Sequence, residues 1–294
     1  MAVLTHTITE MQSGCTVRDL LTQHWGVSTS LRKALRQREG AILCNGLPVR
    51  MNAVLRDGDI VQVDVSDSVD AESPIVPVAF PLTVLWEDEH LLAVDKPAGI
   101  TVHGAALTEE AVTVVGAAAH YLGSTAVHVV NRLDRGTSGV MLLAKNGYMH
   151  HRCMELLHTQ ALYREYRAVC DGVPAPRCGI IDAPIARDTS SLLRRCVAED
   201  GQRAVTKYEV LQTGSGRALV RLLPQTGRTH QLRVHMAHIG CPLSGDWLYG
   251  VENRDLIARP ALHSYSLHFT HPLHGEALDI TAPLPEDLAR LLYK

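Results

Sequence analysis

Residues 127–145 read VHVVNRLDRGTSGVMLLAK. Both ends are apolar and rich in β-branched residues, the pattern of strands bounded by turn residues. Between them lies a polar loop, Asn131-Arg132-Leu133-Asp134-Arg135-Gly136-Thr137-Ser138-Gly139. Two arginines flank one aspartate. A carboxylate beside guanidinium groups is favoured in its charged form, and arginine also grips phosphate. The loop therefore offers a nucleophile or base and an anion grip within four residues. On charge pattern alone it reads equally as a surface turn with an ion pair of little worth, so the rest of the chain must decide.

The chain has 294 residues, enough for a sizeable core and for two domains. A content of 46% hydrophobic and 20% charged residues is ordinary for a globular protein. No apolar run reaches membrane-spanning length. The start, MAVLTHTITEMQSG, lacks a basic segment followed by an apolar one, so a cytoplasmic protein is expected. Seven cysteines without a CxxC pair argue against a disulfide framework or a Cys-rich zinc site. The net charge of −3 gives no general attraction to nucleic acid. The acid is concentrated, however: residues 66–90 hold six acidic residues and no Lys or Arg. Any RNA contact must come from local basic patches.

Residues 14–65 read as a small α+β module. Thr16 can cap a helix through VRDLLTQHW, and Ser28 or Ser30 a second through LRKALRQRE, ending at Gly40. AILCNG then gives a strand and an Asn-Gly turn, and DGDIVQVDV a further strand. The second helix carries Arg32, Lys33, Arg36 and Arg38, which in isolation read as a solvated face. Residues 66–81 form an acidic linker broken by Pro74 and Pro77. From residue 82 to 294 a larger unit begins with two strands, LTVLWED and HLLAVDK. A Pro-Gly turn follows, Asp95-Lys96-Pro97-Ala98-Gly99, leading to His103. Beyond the central loop come a helix (147–161), a strand containing Tyr163-Arg164-Glu165-Tyr166-Arg167-Ala168, and a strand RAVTKYEVL with Tyr208. The last conspicuous run is Gly227-Arg228-Thr229-His230-Gln231-Leu232-Arg233-Val234-His235-Met236-Ala237-His238-Ile239-Gly240, then Gly245-Asp246 and Tyr249-Gly250. Thr229 is expected to cap a helix there. Histidines at 230, 235 and 238 lack the spacing that sets two metal ligands on one helical face beside a general base, so no metal is expected.

Four segments in this order resemble the RluA-type large pseudouridine synthase family: 95–103, 131–139, 164–168 and 227–250. Arg132-Leu133-Asp134 and Thr137-Ser138-Gly139 match its signature. Asn131 stands where the family usually has His, Gly136 where it has a polar residue, and Gly104 where it often has Pro. Residues 14–65 resemble the alpha-L RNA-binding module, first seen in a ribosomal small-subunit protein. Leu262-His263 and His271-Pro272 fit the family's closing strands.

The resemblance implies an α+β catalytic domain on a mixed, largely antiparallel sheet with flanking helices and a central cleft. A small mobile module would be tethered to it. It implies an isomerase that converts uridine in RNA to pseudouridine, with no cofactor, no membrane partner and a monomeric state. Asp134 would be the catalytic aspartate, Arg228 its paired arginine, Tyr166 the tyrosine stacked against the base and placed for proton transfer, and Arg132 a residue that holds the displaced RNA backbone or fills the space the base vacates. Arg32, Lys33, Arg36, Arg38, Arg135, His103 and His230 would contact RNA, and Tyr208 would be structural. Large-subunit ribosomal RNA is the favoured substrate, with transfer RNA as the alternative. A non-catalytic RNA-binding protein on the same fold, a metal-dependent hydrolase built on the histidines, and an α+β protein whose motifs are only turns and caps are the rival readings.

Overall fold

A computed structural model describes residues 2–67, 75–104 and 112–293. The expected linker at 66–81 lies partly outside these residues. The N-terminal module comprises β1 (Val3–Thr7), α1 (Val17–Asp19) running into a π turn at Leu20–His24, α2 (Thr29–Gln37), β2 (Ile42–Cys44), β3 (Leu47–Pro48) and β4 (Ile60–Asp64). Its sheet order is β1-β4-β2-β3. The capping expectations hold: the Thr16 hydroxyl accepts the Asp19 N–H and the Ser28 hydroxyl that of Leu31. Asn45 and Gly46 both take positive φ, 52° and 79°, the geometry of a tight hairpin turn between β2 and β3. The module starts earlier than residue 14. Strand β1 pairs along its length with β4, and Leu4 and Ile8 are buried in its core.

The larger unit continues with β5 (Thr83–Glu87), β6 (Leu91–Lys96), α3 (Val114–Leu122), β7 (His128–Val129), β8 (Ser138–Ala144), α4 (Gly147–His158) and β9 (Tyr163–Asp171). Then come β10 (Cys178–Asp182), β11 (Ile185–Arg187), β12 (Arg195–Val197), β13 (Val205–Gly214), β14 (Arg217–Pro224), α5 (Gln231–His238), β15 (Leu262–Thr270), β16 (Ala277–Thr281) and α6 (Glu286–Ala289). A ten-stranded sheet runs β10-β13-β14-β9-β15-β8-β6-β5, with β16 also on β15 and β7 on β8. It is antiparallel except where β15 meets β8. The expected mixed, largely antiparallel α+β architecture is therefore what forms.

Strand β8 follows the loop read first, and all seven of its residues are buried. Its side chains alternate between two cores, as a strand's period of two requires. Met141 and Leu143 join Leu92, Val94 and α3 on one face; Val140, Leu142 and Ala144 join Leu91, Ala93, Met149 and Cys153 of α4 on the other. The parallel contact with β15 is tight. A Cβ at Gly139, whose φ is +108°, would stand 2.1 Å from the Ser264 carbonyl oxygen. Next to it, His263 Nδ1 lies 2.9 Å from the Ser138 hydroxyl and Nε2 3.3 Å from the Ala282 carbonyl. The carbonyl can only accept, so Nε2 carries the proton and Nδ1 takes the Ser138 hydrogen.

The module is not a free appendage. Tyr148 of α4 is buried in the module's core and its hydroxyl donates to the Trp25 carbonyl at 2.7 Å. The Arg152 guanidinium, one turn on, lies where a side chain at Gly26 would have to go. Asp67 meets His128 at 2.6 Å and accepts the Gly147 N–H at 2.8 Å. The expected mobility of the module gives way to docking on α4, because a large aromatic at 148 bridges the two cores.

Two outcomes are expected. Leu142→Ala removes a fully buried side chain and should cost about 2–5 kcal/mol in urea unfolding with an unchanged slope. Burial, countered only in part by the Ala282 carbonyl, lowers the His263 pKa from 6.5 to about 4. The unfolded chain thus takes up a proton that the fold excludes, and unfolding free energy should fall as pH drops from about 6.5 to about 4. His263→Gln should flatten that part of the pH–stability curve.

Candidate active site

A cavity of ≈ 940 Å³ opens at the start of the 131–139 loop, lined by Val102, Leu133, Tyr166, Leu232 and Leu262 together with Asp134, His230 and Arg233. The loop is held from both ends. Asn131, buried, accepts the Leu142 N–H through its side-chain oxygen at 2.7 Å and donates to the Val140 carbonyl at 3.2 Å. Its amide thus locks the loop onto β8. The Thr137 N–H donates to the Asp134 carbonyl at 3.0 Å, closing the turn over Gly136. Gly136 is small for a reason: a Cβ there would come within 3.0 Å of Pro260. Both departures from the family signature therefore have local structural partners.

A lysine supports the loop from below. Lys96 is fully buried, and its Nζ donates to the carbonyls of Pro97 (2.9 Å), Ile100 (2.8 Å) and Arg135 (3.3 Å). Three ammonium hydrogens meet three carbonyls and tie the Pro-Gly turn to the 131–139 loop. Burial, with the nearby Arg259 charge, lowers the Lys96 pKa to about 8. Gly99 and Arg135 add two further bonds, Gly99 N–H to the Arg135 carbonyl (2.8 Å) and Arg135 Nε to the Gly99 carbonyl (3.0 Å).

Asp134 keeps 37% of its side chain exposed, so a ligand in the cavity can reach it. Two groups face its Oδ2 at 3.8 Å: His230 Nε2 and Arg233 Nη1. Arg233 is fixed by a bidentate pair with Asp246, Nε to Oδ2 and Nη2 to Oδ1, both 2.7 Å. Asp246 is fully buried and also accepts the Leu248 and Tyr249 N–H groups at 3.1 and 3.2 Å. Burial opposes the Arg233 charge, but Asp246 and then Asp134 outweigh it and raise its pKa. The Tyr249 ring lies under the guanidinium at 5.0 Å. His230 takes a left-handed backbone, φ 58°, and its Nδ1 lies 2.8 Å from the Tyr249 hydroxyl. Burial lowers its pKa despite Asp134, leaving a neutral imidazole near neutral pH.

The expected Arg228 partner for Asp134 is corrected here. Arg228 is exposed at the rim and its Nε donates to the Arg203 carbonyl at 3.0 Å. Helix α5 begins at Gln231 with His230 at its N-cap, so Thr229 does not cap it and Arg228 lies before its first turn. Arg233, in the first turn of the helix, is the arginine that faces Asp134. Tyr166 does sit in the cavity wall, opposite Ser264 in the β9–β15 register. Burial foremost, aided by Asp134, raises its pKa and keeps it a neutral phenol. Arg132 and His103 are exposed at the mouth. Arg135 bonds the Gly99 carbonyl through its Nε, and His230 lies against Asp134 in the cavity wall.

In the module, Lys33 and Arg36 are exposed on α2. Arg32 bonds to Thr22 and, at 3.0 Å, to Thr29. Arg38 turns back to the Asp64 and Ser66 carbonyls and pairs with the Asp64 carboxylate at 3.3 Å, so it serves the module's own fold. Lys96, Arg233, Asp246 and Tyr249 stand inside segments that the sequence singles out, yet their roles need the fold to be seen. Of the three histidines near α5, His235 is satisfied by Thr206 and the Ala183 carbonyl, and His238 is exposed. Among the described residues, Asp88, His271 and His274 bring potential metal-ligand atoms together. His271 Nδ1 accepts the Leu273 and His274 N–H groups, so its proton sits on Nε2, 3.0 Å from Asp88.

Residues 90–238 match the family model for RNA pseudouridylate synthase, and residues 4–61 that for the RluD ribosomal pseudouridine synthase N-terminal domain. The uncharacterized RNA pseudouridine synthase YjbO of Bacillus subtilis is 37% identical over 270 residues, covering 91% of this chain and 95% of that protein. Ribosomal large subunit pseudouridine synthase D of Xanthomonas campestris is 37% identical over 271 residues, covering 87% and 81%. Among solved structures, human RNA pseudouridylate synthase domain containing 4 superposes with a TM-score of 0.58 at 29% identity, covering 72% of this chain and 92% of that one. A cavity built around an aspartate, an arginine and a tyrosine, carried on matching sequence along most of its length, places the chain in the RNA pseudouridylate synthase family: it is an RNA pseudouridine synthase, an isomerase.

Proposed function

We propose that the enzyme isomerises uridines of large-subunit ribosomal RNA, with Asp134 as the catalytic carboxylate. The observation that carries the reading is Asp134 standing at the cavity wall, 3.8 Å from an arginine that a buried aspartate holds in place. The relative named for the ribosomal large subunit supports the substrate. The reaction breaks the bond between the ribose and the uracil nitrogen, turns the base, and joins the sugar to a ring carbon; that carbon gives its proton to water and the freed nitrogen takes one up, so the isomerisation is balanced. A uridine paired in folded RNA must first leave the stack. The cavity suits the extruded base: Leu133, Tyr166 and Leu232 offer apolar faces, and Asp134 meets the sugar edge. Arg233 orients Asp134 and balances its charge. Tyr166, a neutral phenol, packs on the uracil and donates a hydrogen bond rather than accepting a proton directly. Arg132, His103 and Arg228 at the rim take the RNA backbone, and Lys33 and Arg36 extend that electrostatic contact onto the module, where it is salt-dependent and sequence-independent.

The test is to incubate wild type and Asp134→Ala with total RNA from a strain lacking the enzyme and map new pseudouridines chemically. A site in large-subunit RNA with wild type and none with Asp134→Ala is the expected result; a site only in transfer RNA moves the substrate, and activity in Asp134→Ala removes its role. Arg233→Lys, which cannot keep the bidentate pair, should lower kcat on the order of a hundredfold by misplacing Asp134. Arg228→Ala should leave kcat nearly unchanged, raise KM a few-fold and weaken its salt dependence.

A further inference from the structure

A second cavity, of ≈ 570 Å³, opens off the same aspartate. Asp134, His230 and Arg233 line both cavities. The second is walled by Leu193, Trp247, Leu248 and Pro260, with Arg135 at its side. Trp247 is 53% exposed and Leu193 is 59% exposed, large apolar faces left open beside a charged catalytic group. The backbone on either side of the tryptophan is fixed. Trp247 lies between Asp246 and Leu248, and the Asp246 carboxylate that clamps Arg233 also takes the Leu248 and Tyr249 N–H groups. The pair that aims Arg233 therefore also sets the backbone that presents the indole. Leu193 comes from the segment joining β11 to β12, where Ser191 accepts the Leu193 and Arg194 N–H groups.

A uridine whose base fills the first cavity remains joined through its phosphates to a nucleotide on either side. One of these neighbours must pass Asp134, and the space that adjoins Asp134 is this second cavity. A nucleobase matches its walls, because the exposed indole and leucine offer it a flat apolar face. We propose that the second cavity receives the base adjoining the target uridine, stacked on Trp247, as a flanking-nucleotide subsite. The proposal rests on the reading that the extruded uridine occupies the first cavity. Stacking accepts every base, because each has a π face. The subsite therefore senses the presence of a flanking base more than its identity.

The test uses wild type, Trp247→Ala and Trp247→Phe, with both RNA binding and pseudouridine formation measured. The RNAs are protein-free large-subunit ribosomal RNA and a synthetic RNA spanning the mapped site, the latter also with an abasic nucleotide immediately 5′ or 3′ of the target. Trp247→Ala should raise KM roughly tenfold with kcat little changed, and Trp247→Phe should restore most of the loss. An abasic neighbour on one side should cost wild type a similar factor and cost Trp247→Ala nothing further. Equal KM for wild type and Trp247→Ala, or the same abasic penalty in both, overturns the subsite. So does a change in molecular mass in Trp247→Ala with unchanged turnover, which would make the indole a contact for a second copy. If wild type binds ribosomal RNA but forms no pseudouridine, the isomerase reading of the substrate fails; a tenfold weaker binding by Trp247→Ala then still upholds the stacking role, and equal binding overturns it.

Discussion

The site depends on one buried ion pair. Arg233 and Asp246 are joined by two bonds of 2.7 Å with almost no exposure to solvent. Taking two charges out of water is costly, and such a pair stabilises a fold only when its remaining hydrogen-bonding capacity is filled. Here the Leu248 and Tyr249 N–H groups fill the aspartate, and the Tyr249 ring covers the guanidinium. What the pair provides is direction. One guanidinium nitrogen is left over, and it faces Asp134 from a position that neither rotamer freedom nor water can blur. Losing either partner would strand the other as an isolated buried charge, a penalty of about 3–5 kcal/mol.

The aspartate's loop is held by side chains that bond to backbone groups. Lys96 pins the loop by three carbonyls, Asn131 pins it to β8 by two backbone groups, and Gly139 lets β8 approach β15. Backbone hydrogen bonding places the loop, and the guanidinium held by Asp246 faces the carboxylate that the loop carries. The two systems meet at 3.8 Å, close enough to interact and open enough to admit a ligand.

Much of this was legible in the sequence. The buried run VMLLA announces a central strand, and the alternation in residues 163–169 a further one. Thr16, Ser28 and the Asn-Gly turn mark local boundaries by local chemistry, and the structure bears them out. The errors arose where a role depends on direction in space. Arg228 and Arg233 stand five residues apart in one motif, and only the left-handed turn at His230 decides which of them points inward. Arg38 looks like its neighbours on α2 until the strand end at Asp64 is brought beside it. Lys96 reads as part of a turn because its burial is created by a loop nearly forty residues away. Strand β1 was missed for a similar reason: its partner β4 is distant in sequence, and its own five residues carry little pattern.

Helix α4 has a different face for each half of the molecule. Tyr148 and Arg152, one turn apart, hold the module, whereas His150, Met154, Leu157 and His158 form part of the wall of the larger cavity. The two rows share one rigid rod of twelve residues. The seat of Tyr148 in the module's core is therefore also the seat of the helix that walls the larger cavity, and a change of packing on one row bears on the other.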